Sequence, residues 1–146
     1  MSTVKVNIIE SLSEHHKLDL VELYKNEFWC NKRKMPDVEI MLENSDIIFG
    51  AENTEKRLVG FVRVLTDYVY KATIFDLIVQ PACRGKTIGF LLMDNVINHP
   101  KLEKIEHFDL NCIPSMIKFY KQWQFTDDLG EIIHMRRHNE GNIKTE

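Results

Sequence analysis

Apolar and polar residues alternate from Val4 to Ile9, the period of a half-buried strand. Ser11 or Ser13 can then cap a helix carrying Leu18, Val21, Leu23 and Tyr24 on its inner side. A linker around Phe28 to Met35, rich in large and basic residues, leads to Pro36, which suits the first turn of a short helix ending near Glu43. Three runs rich in Ile, Val and Phe follow: Asp46 to Glu52, Arg57 to Thr66 and Ala72 to Gln80. Polar turns at Asn53 to Lys56 and Asp67 to Lys71 let them form an antiparallel meander. Pro81 stops the third run, because proline has no amide proton for a ladder. Ile88, Leu91, Leu92 and Val96 recur at the spacing of one buried helical face, so a helix is expected over Thr87 to Asn98, ended by His99-Pro100. Ile105 to Leu110 predicts a strand, Pro114 to Gln122 a helix, and Glu131 to Arg136 a last strand. The order βααβββαβαβ implies an α/β fold on one mixed, twisted sheet. A single domain over 1–137 and a polar tail over 138–146 are expected.

The chain has 146 residues, enough for one domain with a core. Its net charge is −3 with no basic stripe, so a nucleic-acid surface is not expected. Lys32-Arg33-Lys34 and Arg136-Arg137 read as solvated patches. No stretch approaches the roughly 20 apolar residues that span a bilayer. Met1 to Glu10 has neither a basic lead nor a long apolar run, so a cytoplasmic location is expected by default. Cys30, Cys83 and Cys112 are odd in number and widely spaced, which predicts reduced thiols and no metal site. His15-His16 lies in a polar segment and is expected in solvent.

The chemistry concentrates at Ile78-Val79-Gln80-Pro81-Ala82-Cys83-Arg84-Gly85-Lys86-Thr87-Ile88-Gly89. A buried strand, a basic turn containing glycine and an amphipathic helix succeed one another there. Amides at a helix N-terminus, with the positive end of its dipole, form an anion site. Gly85 and Gly89 permit close approach, while Arg84 and Lys86 add charge, so a diphosphate suits the turn. The alternative is an ordinary strand-to-helix turn with its basic residues in water. The spacing matches neither the P-loop nor the dinucleotide fingerprint.

This segment resembles the acetyl-CoA-binding motif of the GNAT superfamily of N-acetyltransferases: Gln or Arg, two residues, Gly, one residue, then Gly or Ala. The resemblance implies that the turn over Arg84, Gly85, Lys86, Thr87, Ile88 and Gly89 holds the coenzyme's pyrophosphate. It also implies that Leu77, Ile78 and Val79 bond the pantetheine arm. Thr87 stands where glycine is most frequent. A second stretch, Asp109 to Phe125, is similar to the family's strand and helix ending in Phe-Tyr, three residues, Gly-Phe. It implies that Tyr120 protonates the departing thiolate; the alternative is a packed helix aromatic. Ile113 replaces a common asparagine, with Asn111 as the substitute, and Gln124 replaces the glycine. Local similarity to glucosamine-6-phosphate N-acetyltransferases extends to Ile74-Phe75-Asp76 and Leu110-Asn111-Cys112, where two of their acids are missing, so that substrate does not transfer.

The family implies acetyl-CoA as co-substrate, direct attack by the amine of a small molecule, and a homodimer. An ammonium must lose a proton before attacking a thioester. Asp76, among apolar neighbours, is the best candidate base if burial raises its pKa. The alternative is an ion pair with Arg63 on the adjacent strand. Asp67 and Glu27 are weaker candidates. Trp29, Arg33, Arg63 and Tyr68 are candidate acceptor-pocket residues, an arginine suiting a carboxylate or phosphate on the acceptor. Cys112 has no histidine partner and no acyl-enzyme to form. A non-catalytic acyl-CoA-binding module is the competing function.

Overall fold

The computed structural model describes residues 5–85 and 87–139. The chain divides into two compact units, Met1–Asn111 and Cys112–Glu146. The first holds β1 (Val6–Ile9), α1 (Glu14–Lys25), α2 (Met35–Glu43), β2 (Ile47–Asn53), β3 (Leu58–Thr66), β4 (Lys71–Val79), α3 (Ile88–Ile97) and β5 (His107–Leu110). The second holds α4 (Ile117–Tyr120), between single 3-10 turns at Pro114–Met116 and Lys121–Trp123. Among the described residues no helix is long and apolar enough to cross a membrane.

The sheet is open and mixed, in the order β1-β2-β3-β4-β5. Neighbours are antiparallel except β4 and β5, which run parallel. Successive residues of a strand face opposite sides, and β3 uses both. Phe61 packs with Leu20, Leu23, Tyr24 and Val38 from α1 and α2. Gly60 faces α3, where an added Cβ would lie 2.9 Å from Ile88 Cγ2 and 3.0 Å from Leu92 Cδ1. Glycine there lets a helix rich in branched side chains settle onto the sheet.

Ser13 caps α1, and the side chain at the third helical position returns the bond: His16 Nδ1 accepts from the Ser13 amide at 3.1 Å. His16 is therefore 6% exposed, against the expectation of a solvated pair. The inner row of α1 is His16, Asp19, Leu20, Leu23 and Tyr24, which leaves Leu18 outside it and 62% exposed. Burying Asp19 is offset by Arg57, whose Nη2 lies 2.7 Å away, and by the Leu58 amide at 3.0 Å.

The strand expected over Glu131 to Arg136 is not formed. That segment has no ladder partner among the described residues, and Ile132, Ile133 and Met135 are all exposed. Apolar composition alone does not make a strand when no edge receives it.

Candidate active site

The site grows from an irregularity in β4. Phe61 stands opposite Ile78, whereas Arg63 stands opposite Phe75, so β4 carries one more residue than β3 over this span. Asp76 absorbs it with φ of 58°, a left-handed conformation that aspartate tolerates better than most residues. The ladder between β4 and β5 covers Lys71 to Ile74 and ends there, at Ile74 opposite Leu110. Beyond the bulge, β4 keeps its pairing to β3 while its other edge leaves the ladder. Leu77, Ile78 and Val79 lie on this departing half, with Ile78 buried in the core. Asn111 follows β5 directly and is exposed.

A 3-10 turn at Pro81–Cys83 then leads to the basic turn. Gly85 has φ of 77° with nothing within 4 Å of a would-be Cβ. Thr87 has φ of 71° and makes no side-chain cap to α3. Lys86 lies outside the described residues. The amides of Ile88 and Gly89 open the first turn of α3, where no helical carbonyl precedes them as acceptor. Ile88 itself is 1% exposed and packs on β3, so only its main chain can face a ligand. Glycine at 85 leaves room for an anion beside the first amides of α3. The half-exposed Arg84 guanidinium is tied back to the strand end: Nε donates to the Val79 carbonyl at 3.1 Å, and Nη2 is bonded to Glu27.

Asp76 is enclosed. Its Oδ2 accepts from Arg33 Nη1 at 2.7 Å, Arg63 Nε at 2.8 Å and the Tyr24 hydroxyl at 2.9 Å. Arg33 lies over the rings of Tyr24 and Trp29, and Arg63 lies over Phe75. Burial alone would push the carboxyl up, but the two guanidiniums outweigh it and hold Asp76 below the usual carboxylate range. This corrects the raised pKa that would have suited a base; the ion pair with Arg63 is the arrangement present, and Arg33 joins it. The same surroundings push Tyr24 well above an ordinary phenol, by burial first and then the Asp76 charge. Burial likewise pushes the Cys30 thiol up to about 12, with Arg33 opposing.

Trp29, Arg33, Arg63 and Asp76 are thus brought together. Tyr68 is not. It sits on the turn joining β3 to β4, where its hydroxyl reaches the Asp46 carbonyl and Lys101 approaches its ring. β4 separates that turn from the basic turn by about 26 Å at ~3.3 Å per residue. Asp67 folds the same turn by accepting from the amides of Val69, Tyr70 and Lys71, which holds its carboxyl below the usual range.

In the second unit, Tyr120 is 8% exposed, with the rings of Phe119 and Phe125 set edge-on to it. Burial, and to a smaller degree Cys112, push its phenol up to about 12, so it carries its proton throughout the neutral range. Gln124, at the position of the motif's glycine, has φ of 68°. Ile113 is half-exposed.

Away from this region, His15, His16 and Glu52 bring one ligand atom each within 4.8 Å of one another. His16 Nδ1 accepts the Ser13 amide, which leaves the neutral ring's proton on Nε2, 2.7 Å from Glu52. His15 Nε2 is bonded to the Lys56 carbonyl. A cation would have to displace these bonds, which tie the start of α1 to β2 and to the turn after it.

Residues 12–125 match the Acetyltransferase (GNAT) family. The chain belongs to that family. It is 32% identical over 127 residues to the N-acetyltransferase ycf52 of Gracilaria tenuistipitata var. liui, covering 84% of this chain and 69% of that one. It is 27% identical over 90 residues to the chloroplastic serotonin N-acetyltransferase 2 of Oryza sativa subsp. japonica, covering 60% and 45%. A GNAT-family structure from Xanthomonas campestris pv. campestris superposes with a TM-score of 0.82 at 27% identity, covering 99% of this chain and all of that one. The fold is also that of glucosamine-6-phosphate N-acetyltransferase from Arabidopsis thaliana, with a TM-score of 0.73 at 15% identity and coverage of 92% and 98%. The protein is a GNAT-family N-acetyltransferase. The bulge at Asp76 and the left-handed turn residues are what sequence reading missed. The signal for the first was a charged residue inside an apolar strand.

Proposed function

We propose that this GNAT protein transfers the acetyl group of acetyl-CoA to the amine of a small molecule by direct attack. The observation that carries the reading is the join of β4 to α3: a strand edge released from its ladder runs into a helix whose first amides have no side-chain cap. These residues fit the coenzyme. Gly85 leaves the turn open, Ile88 and Gly89 present main-chain donors, and Leu77, Ile78 and Val79 lie on the released strand. Acetyl-CoA supplies the thioester that is cleaved. The strand orients the arm, the helix N-terminus holds the diphosphate, and Tyr120 keeps a proton for the departing sulfur. Asp76, a fixed anion, is a positioning residue: it locks Arg33 and Arg63 beside Trp29 where the acceptor enters. The amine's proton then passes to water rather than to Asp76.

The test is release of free CoA with a panel of serotonin, glucosamine 6-phosphate and a lysine-containing peptide, alongside melting curves with and without acetyl-CoA. Turnover with any amine supports the reading. A coenzyme-induced rise in melting temperature with no thiol release under any acceptor would favour a non-catalytic binding module. Tyr120→Phe should lower kcat about 100-fold with little change in the KM for acetyl-CoA. With its phenol near 12, Tyr120 should produce no fall in wild-type kcat between about pH 7 and 10. An unchanged kcat in the variant removes the acid role.

A further inference from the structure

Glu27 lies just beyond α1, with its main chain tied into turns: its amide donates to the Tyr24 carbonyl at 3.1 Å, and its carbonyl accepts from Cys30 at 3.2 Å. Its side chain is 18% exposed, and Oε2 takes the Nη2 donor of Arg84, a residue 57 positions away. The same guanidinium is held on its other side by the Val79 carbonyl. The arginine of the basic turn is therefore folded back against the strand end and neutralised there. Glu27 also adds negative potential at the Cys30 thiol, which feels Arg33 and Asp76 as well. The carboxylate thus stands on the border between the turn and the Asp76 group.

Carboxylate and phosphate oxygens offer an arginine the same acceptor chemistry. Any anion that binds through Arg84 must first contend with Glu27. A ligand with one phosphate, seated on the amides of α3, leaves the bond between Glu27 and Arg84 unbroken. A diphosphate can engage the amides of α3 with one group and Arg84 with the other.

We propose that Glu27 is a built-in competitor for Arg84, displaced by a diphosphate, and that it tempers the affinity of the turn for ligands that need this arginine. This rests on the coenzyme reading above. Glu27 is a specificity residue acting through Arg84, and it does not touch the reacting atoms.

The experiment is calorimetric titration of CoA, and separately of 4′-phosphopantetheine, into wild type, Glu27→Gln, Arg84→Gln and the double variant. Glu27→Gln should tighten CoA about threefold, the scale of a partly exposed ion pair. It should tighten 4′-phosphopantetheine less, widening the ratio between the two ligands. In the Arg84→Gln background the Glu27 substitution should change neither affinity, because the contested group is gone. Glu27→Asp, which withdraws the charge by one methylene, should fall between wild type and Glu27→Gln. Weaker or unchanged CoA binding in Glu27→Gln would overturn the proposal and make Glu27 a strut that holds Arg84 in place. Absence of CoA binding in all the proteins, wild type included, would remove the coenzyme reading itself, and this proposal with it.

Discussion

The two ends of β4's second half are built on opposite plans. At Asp76 the chain bends into an enclosed knot, one carboxylate oxygen accepting three bonds from side chains on α1, the following linker and β3. A few residues on, the basic turn is exposed, two of its residues hold positive φ, and its arginine is tied by a partly exposed ion pair. The first arrangement is overdetermined and dry. The second is underdetermined and wet. A transferase needs both: a fixed frame for geometry, and a nearby surface whose bonds can be exchanged for those of a ligand.

The contrast can be broken most severely at the knot. Asp76→Asn removes the anion while leaving two guanidiniums beside it, and should cost about 3 kcal/mol in denaturant unfolding at neutral pH. The sign with pH follows from the lowered carboxyl. Its contribution is complete above the unfolded value of about 4 and is lost as pH falls through the lower folded value. The gap between wild type and variant should therefore narrow as the pH falls, and a gap indifferent to pH would mean the loss is one of shape. Next comes the packing that seats α3. Gly60→Ala drives a Cβ to within 3.0 Å of Ile88 and Leu92, and should cost about 2 kcal/mol in the same assay. The turn should answer most weakly. Thr87→Gly relieves a β-branched residue at φ of 71° but adds freedom to the unfolded chain, so a net gain of about 0.5 kcal/mol is expected by melting.

Much of the frame was legible in the chain. The meander of β2, β3 and β4, the break at Pro81 and the helix after Thr87 follow from period-2 and period-3.6 patterns that agree with the turn residues between them. What was not legible depended on partners. Leu18 looked like a core residue, but the row that faces the sheet is completed by His16 and Asp19, polar groups made tolerable by Glu52 and Arg57. Glu131 to Arg136 has the composition of a strand and, among the described residues, no neighbour to pair with. Asp76 was correctly marked as anomalous, but its charge state depended on Arg33, brought from 43 residues away by a linker with no periodic signal. Tyr68 was grouped with residues from the other end of the strand, because proximity in sequence to a loop carries no information about which end of the sheet the loop caps.

The extra residue in β4 also bears on how this sequence can change length. Surface turns absorb insertions and deletions readily, since nothing downstream depends on their count. Removing one residue at Asp76 or Leu77 would restore an unbroken match with β3. The pairing would become more regular, and the left-handed bend that aims Asp76 at Arg33, Arg63 and Tyr24 would be lost. Here the number of residues is as constrained as their identity.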